Sequence, residues 1–100
     1  MAKFKLTNQA VRDLNGIWIY TLRSWSEVQA ENYYNLLLEK CQLIADNPNL
    51  GKNYNSVMIG LRGLKAKKHI LFYRVLNSDE IEIIRILHEQ MDYHRRVVES

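Results

Sequence analysis

The residues best suited to chemistry lie in the second half of the chain. Arg62, Arg74 and Arg85 fall in segments rich in branched residues, His88 ends the last of these, and Lys65, Lys67 and Lys68 cluster between the first two. Cleaving a phosphodiester without a metal takes a base for the ribose 2′-hydroxyl, an acid for the leaving oxygen and cations for the phosphorane. On that reading the arginines supply the cations, His88 moves protons and the lysines hold phosphates. A structural reading competes with it. Arg62 and Arg85 would then neutralise carboxylates such as Asp92 or hold a group of carbonyls, Arg74 would face solvent, and His88 would hydrogen-bond at a strand end.

Other chemistries are poorly served. His69, His88 and His94 are scattered and there is no spaced carboxylate cluster, so no metal site and no cofactor are expected. A single cysteine cannot form an internal disulfide and suits a reducing cytosol; Cys41 lies on an apolar helical stripe and reads as core. No nucleophile elbow is present, and Gly60-x-x-Gly63 falls inside a predicted strand rather than after one, so it is no phosphate loop. Trp18, Trp25, Tyr33 and Tyr34 read as the core of a helical hairpin rather than a ligand box.

Charge is unevenly placed. Lys52, Arg62, Lys65, Lys67, Lys68 and Arg74 lie between Asn47 and Ser78, a stretch with no acidic residue; elsewhere the eight remaining bases are outnumbered by eleven acids. One basic lobe attracts phosphates or an acidic partner, and a lysine-rich hairpin tip also discourages edge-to-edge sheet pairing. With 100 residues, 47% hydrophobic and 25% charged, the chain reads as a single folded domain over residues 1–100. No run approaches the ~20 apolar residues of a membrane span, and no signal peptide is visible, so a cytoplasmic protein with no membrane partner is expected.

The elements that must position these residues follow from period and caps. Lys3–Leu6 reads as a short strand. Thr7 is a helix N-cap, with Leu6 and Val11 placed for a hydrophobic staple. Val11, Leu14, Trp18, Leu22 and Trp25 recur at helical spacing, with Ile17 widening the stripe, over a helix from about Asn8 to Trp25. Ser26 with Gln29 three residues on forms a capping box for a second helix, which runs to about Asp46 before Pro48, with Ala30, Tyr33, Tyr34, Leu37, Leu38, Cys41, Ile44 and Ala45 making a broad apolar face. The helical hairpin thus spans about 8–46. Three strands follow in an antiparallel meander over about 57–88: Val57–Leu64, His69–Leu76 and Glu80–His88. The paired Ile83 and Ile84 suggest a last strand covered on both faces. A short helix over about 90–98 completes an α+β order of β-α-α-β-β-β plus a terminal helix.

Three blocks of residues bear a family resemblance. Leu6-Thr7-x-x-Ala10-x-x-Asp13-Leu14-x-x-Ile17-x-x-Tyr20, with Trp25, Gln29-Ala30 and Tyr33, resembles the opening of ParE-family toxins. Gly60-Leu61-Arg62, His69-Ile70-Leu71-Phe72-Tyr73-Arg74-Val75 and Arg85-Ile86-Leu87-His88-x-x-Met91-Asp92 resemble the rest of the family's pattern, in order, from Leu6 to about Arg96. The resemblance implies a RelE/ParE-like fold and the toxin of a bacterial type II toxin–antitoxin pair. It also implies a non-enzymatic inhibitor that traps DNA gyrase with cleaved DNA and is neutralised, in a hetero-oligomer, by a ParD-like antitoxin with an acidic amphipathic segment. The end of the chain is implicated across ParE-like toxins, which points to Met91, Asp92, Tyr93, Arg95 and Arg96 within Met91–Ser100. The charge argument adds Lys65, Lys67 and Lys68. The related RelE proteins cut mRNA on the ribosome, and Arg62, Arg85 and His88 would form such a site here. RelE-like enzymes usually add a Tyr or His-Tyr pair at the end of the last strand; here Glu89 follows His88 and the next tyrosine is Tyr93, which argues against cleavage.

Overall fold

Capping chemistry sets the first half of the chain. The computed structural model describes residues 2–98. Strand β1 (Lys3–Leu6) leads into α1 (Asn8–Ser24) through Thr7. The Thr7 hydroxyl accepts from the Ala10 amide at 3.0 Å and donates to the Ile84 carbonyl at 2.7 Å, so one side chain both caps the helix and ties it to a distant strand. Helix α2 (Glu27–Asp46) begins at the expected capping box, with Ser26 and Gln29 exchanging hydrogen bonds. Only Trp25 and Ser26 separate the helices, which therefore lie as antiparallel neighbours.

The sheet has five strands in the order β1-β5-β4-β3-β2. Strands β3 (Arg62–Ala66), β4 (His69–Asn77) and β5 (Glu80–His88) form the expected antiparallel meander. Two features depart from expectation. The sheet is mixed, because β1 pairs parallel to β5, with Lys3 opposite Glu80 and Leu6 opposite Ile83. A two-residue strand β2 (Lys52–Asn53), read as loop from the sequence, adds an edge on β3. Strand β5 lies between β1 and β4, as its paired isoleucines suggested.

The first strand of the meander starts later than Val57. Residues 54–61 form turns instead: the Val57 and Met58 amides both donate to the Tyr54 carbonyl, and the Asn55 side chain accepts from the Gly60 amide at 2.8 Å. Gly60 takes a φ of +84°, incompatible with the strand expected there. Asparagine side chains that bond nearby amides compete with the ladder, and Asn53 and Asn55 both do so. The turn before β2 is anchored by Tyr73, whose buried hydroxyl accepts from the Gly51 amide at 2.9 Å and donates to the Pro48 carbonyl at 2.7 Å. A Cβ on Gly51 would lie 2.5 Å from that oxygen, so only glycine fits.

Each face of the sheet carries its own apolar cluster. On the helix face Leu71, Tyr73, Ile81, Ile83 and Ile86 meet Leu14, Leu37 and Ile44. On the opposite face Leu61, Ile70, Phe72, Ile84 and Leu87 are covered by Tyr54, Val57 and Met58 and by Val97 and Tyr93 of α3 (Tyr93–Val98). The terminal helix starts three residues later than expected, because the Asp92 side chain accepts from the Arg95 amide and caps it. A register shift at Phe72/Tyr73 inserts Ile84 as an extra residue between Ile83 and Arg85, a bulge that re-aims Arg85.

Helix α1 is rotated from the expected phase. Ala10, Leu14 and Thr21 are buried, whereas Val11, Leu22 and Trp25 are 41–48% exposed and Trp18 is half-buried, edge-on to Tyr34. Small residues at 10 and 21 let the helix approach closely, and Thr21 satisfies its hydroxyl on the Ile17 and Trp18 carbonyls. Helix α2 follows the expected face, with Leu37 fully buried. Truncating a buried leucine typically costs about 2–5 kcal/mol. Leu37→Ala is therefore expected to lower the melting temperature strongly and Val11→Ala hardly at all; equal melting points in calorimetry would show the helix phases to be misplaced.

Candidate target-binding surface

The turn between β3 and β4 is only Lys67 and Lys68, so these charges project from the hairpin end, with Lys67 in the left-handed region at φ 55°. Lys65, Lys67 and Lys68 are all exposed. Lys65 pairs with Glu89 at 2.9 Å, and the Glu89 amide donates to the Lys68 carbonyl at 2.8 Å, which fixes the hairpin to the end of β5. Lys65 holds the Glu89 carboxyl below its usual range. The hairpin faces α2 across an open groove of about 1020 Å³.

Behind the groove lies a ring cluster that the sequence did not announce. The Tyr33 hydroxyl sits 2.7 Å from His69 Nδ1 and 3.4 Å from the Ala66 carbonyl. The His69 ring meets the His88 ring edge-on at 5.4 Å, and the two residues are register partners across β4 and β5. Burial, then the neighbouring His88, depresses His69 to about 4, so its imidazole is neutral at pH 7. Burial also raises the Tyr33 phenol, which keeps its proton. Neutral Tyr33 and His69 therefore link α2 to the root of the basic hairpin.

The three residues of the cleavage reading are each engaged separately. Arg85 is clamped by Asp13 of α1: Nε to Oδ2 at 2.7 Å and Nη2 to Oδ1 at 2.9 Å, with the Ile86 amide also donating to Oδ2. Its Nη1 donates to the Arg96 carbonyl at 3.0 Å. Arg62 donates to the Gly51 carbonyl at 2.8 Å. The partner is thus Asp13 for one arginine and a loop carbonyl for the other, not Asp92. His88 lies three residues along β5 from Arg85, roughly 10 Å at strand rise. Its Nδ1 accepts from the Gln90 amide at 3.2 Å. Arg74 pairs with Glu82 on the exposed end of the sheet.

The terminal residues divide into packed and open groups. Tyr93 is held between Tyr54 and Phe72, with ring centroids 5.4 and 5.5 Å away, and so supports the second core. Met91, Asp92, Arg95 and Arg96 are exposed. Glu99 and Ser100, at the end of the expected contact segment, lie outside the described residues. Cys41 is buried and its thiol is pushed up to about 12 by burial. Trp25, expected in the core, stands at the groove mouth, 48% exposed and edge-on to Tyr33 at 5.9 Å. Among the described residues no group of three His, Cys, Asp or Glu side chains is placed to hold a metal. Among the described residues no helix is long and apolar enough to cross a membrane.

The neutral His69 makes stability pH-dependent. Its folded-state value of about 4 lies below the ordinary value near 6.5, so the unfolded chain binds the proton first as pH falls. Stability contributed by the neutral ring is present above about pH 6.5 and is lost as pH drops toward 4. His69→Gln is expected to flatten the change in melting temperature between pH 7 and pH 5 relative to the parent chain; identical pH profiles would contradict the assignment.

Comparisons with known proteins agree with this geometry. A family model described as the ParE toxin of the type II toxin–antitoxin system, parDE, matches residues 4–93. Toxin ParE1 of Caulobacter vibrioides is 34% identical over 92 residues, covering 92% of this chain and 94% of that protein. Toxin ParE1 of Mycobacterium tuberculosis is 34% identical over 96 residues, covering 96% and 98% respectively. A solved chain of the chromosomal ParDE TA system from P. aeruginosa shares the fold, with a TM-score of 0.74 over 88% of this chain and 96% of that one, at 24% identity. The chain belongs to the ParE toxin family of type II toxin–antitoxin systems.

Proposed function

We propose that this chain is a cytoplasmic toxin that inhibits DNA gyrase by binding it and trapping it with cleaved DNA, and that a ParD-like antitoxin neutralises it in a hetero-complex through an acidic amphipathic segment. Family membership supports the toxin role. The observation that favours binding over mRNA cleavage is the commitment of Arg85. A guanidinium clamped on both edges by a carboxylate and a carbonyl is neutralised, whereas a phosphorane needs a cation free to meet developing negative charge. Arg62 is likewise directed to a loop carbonyl. The contact surface consists of the exposed lysines Lys65, Lys67 and Lys68 together with Met91, Asp92, Arg95 and Arg96, with Tyr93 holding the terminal helix in place beneath them.

The test compares two variants of the full chain in supercoiling and mRNA-cleavage assays. A catalytic proton-transfer residue typically contributes on the order of 10²–10⁴ in rate, whereas rim cations of an interface act mostly on association. Arg95→Ala/Arg96→Ala is expected to weaken gyrase inhibition partially, with unchanged circular dichroism. His88→Ala is expected to retain inhibition, and the parent chain to leave mRNA intact. A folded His88→Ala protein that binds its target but has lost activity a hundredfold would overturn the proposal, as would codon-linked mRNA cuts with normal supercoiling.

A further inference from the structure

We propose that the groove between α2 and the β3–β4 hairpin binds single-stranded nucleic acid, with lysines on the phosphates and Trp25 stacked on a base. One wall is cationic. Lys65, Lys67 and Lys68 line it, and among the described residues neither Lys67 nor Lys68 has a carboxylate within ion-pair distance. The other wall has a different character. Gln29, Asn32 and Asn35 present neutral amides from α2, able to donate to and accept from base edges. Trp25 stands half-exposed at the mouth, and its edge-on contact with Tyr33 occupies only one ring face of that pair.

A basic rail facing an aromatic ring and amides is the arrangement that holds single strands, whose phosphates need cations and whose unstacked bases need a ring face. An amphipathic acidic peptide would insert aliphatic anchors, and Leu36 is the groove's one aliphatic lining residue; its other apolar surface includes the rings of Trp25 and Tyr33, which suit stacking. At about 1020 Å³ and open along its length, the groove suits a segment of polymer. Two carboxylates also line it. Glu39 lies farther along α2, and Glu89 occupies Lys65, so the Lys65–Glu89 pair competes directly with a phosphate for that lysine. The inference concerns the groove alone and holds whether or not gyrase is the target, since its test contains no gyrase.

The experiment measures fluorescence anisotropy of labelled oligo-dT and oligo-rU, about ten nucleotides long, with the full chain at low salt. Both are expected to bind with dissociation constants on the order of 1–100 μM. Trp25→Ala should weaken binding about tenfold, and Lys67→Ala/Lys68→Ala should flatten the log–log salt slope by about 1.4. Glu89→Gln frees Lys65 and should tighten binding about two- to fivefold, a gain that loss of structure does not produce. A preference for one oligonucleotide supports the proposal and tells whether the 2′-hydroxyl is read. Absence of binding by both, equal binding of a duplex, or unchanged affinity in Trp25→Ala overturns it. Binding of polyglutamate in place of oligonucleotide assigns the groove to an acidic protein segment and also overturns it.

Discussion

The Asp13–Arg85 pair holds the architecture together. Its two side chains are only 14% and 12% exposed, so each charge has lost most of its water and depends on the other. Removing one partner of such a pair typically costs about 3–5 kcal/mol, a large share of a small domain's stability. The geometry reaches three elements at once: the carboxylate comes from α1, the guanidinium from β5, and its Nη1 donates to the Arg96 carbonyl in α3. The bulge at Ile84 serves this clamp, since the inserted residue turns Arg85 away from the regular alternation. The same contact sets the charge of Arg85 against a carboxylate.

That clamp also explains which parts of the fold could be read from the sequence. Helix α2 was legible because its capping box and apolar face agree, and β5 because isoleucine and leucine fill five of its nine positions. Helix α1 was not, because Ile17, Trp18, Ile19 and Tyr20 are all apolar and leave the phase ambiguous. What decides the rotation is one acid, Asp13, that must face Arg85 some seventy residues away. A carboxylate among the apolar positions of an otherwise amphipathic helix was the available signal. The segment 57–61 was missed for a local reason: asparagine side chains beside it offer amides a partner more readily than a neighbouring strand does.

The candidate surface was legible in charge but not in form. An acid-free stretch located the basic hairpin, and its two-residue turn places the charges together. The groove opposite it depends on Trp25 being outside the core, a consequence of the α1 rotation. The Tyr33–His69–His88 ring cluster depends on strand register, which composition does not encode. The terminal helix has a double character: Val97 and Tyr93 seal the second core, while Arg95 and Arg96 beside them are exposed.

The parallel pairing of β1 with β5 has a consequence for synthesis. The Thr7 side chain reaches the Ile84 carbonyl across 77 positions, and β1 has no strand neighbour other than β5. Until the ribosome has made the ninth decade of residues, the first strand has nothing to pair with, and α1 lacks the arginine that orients it. Distant closures of this kind are slow, because the chain must lose loop entropy before any contact compensates. The growing polypeptide therefore cannot complete its sheet until β5 is free to pair, and the finished surface forms late.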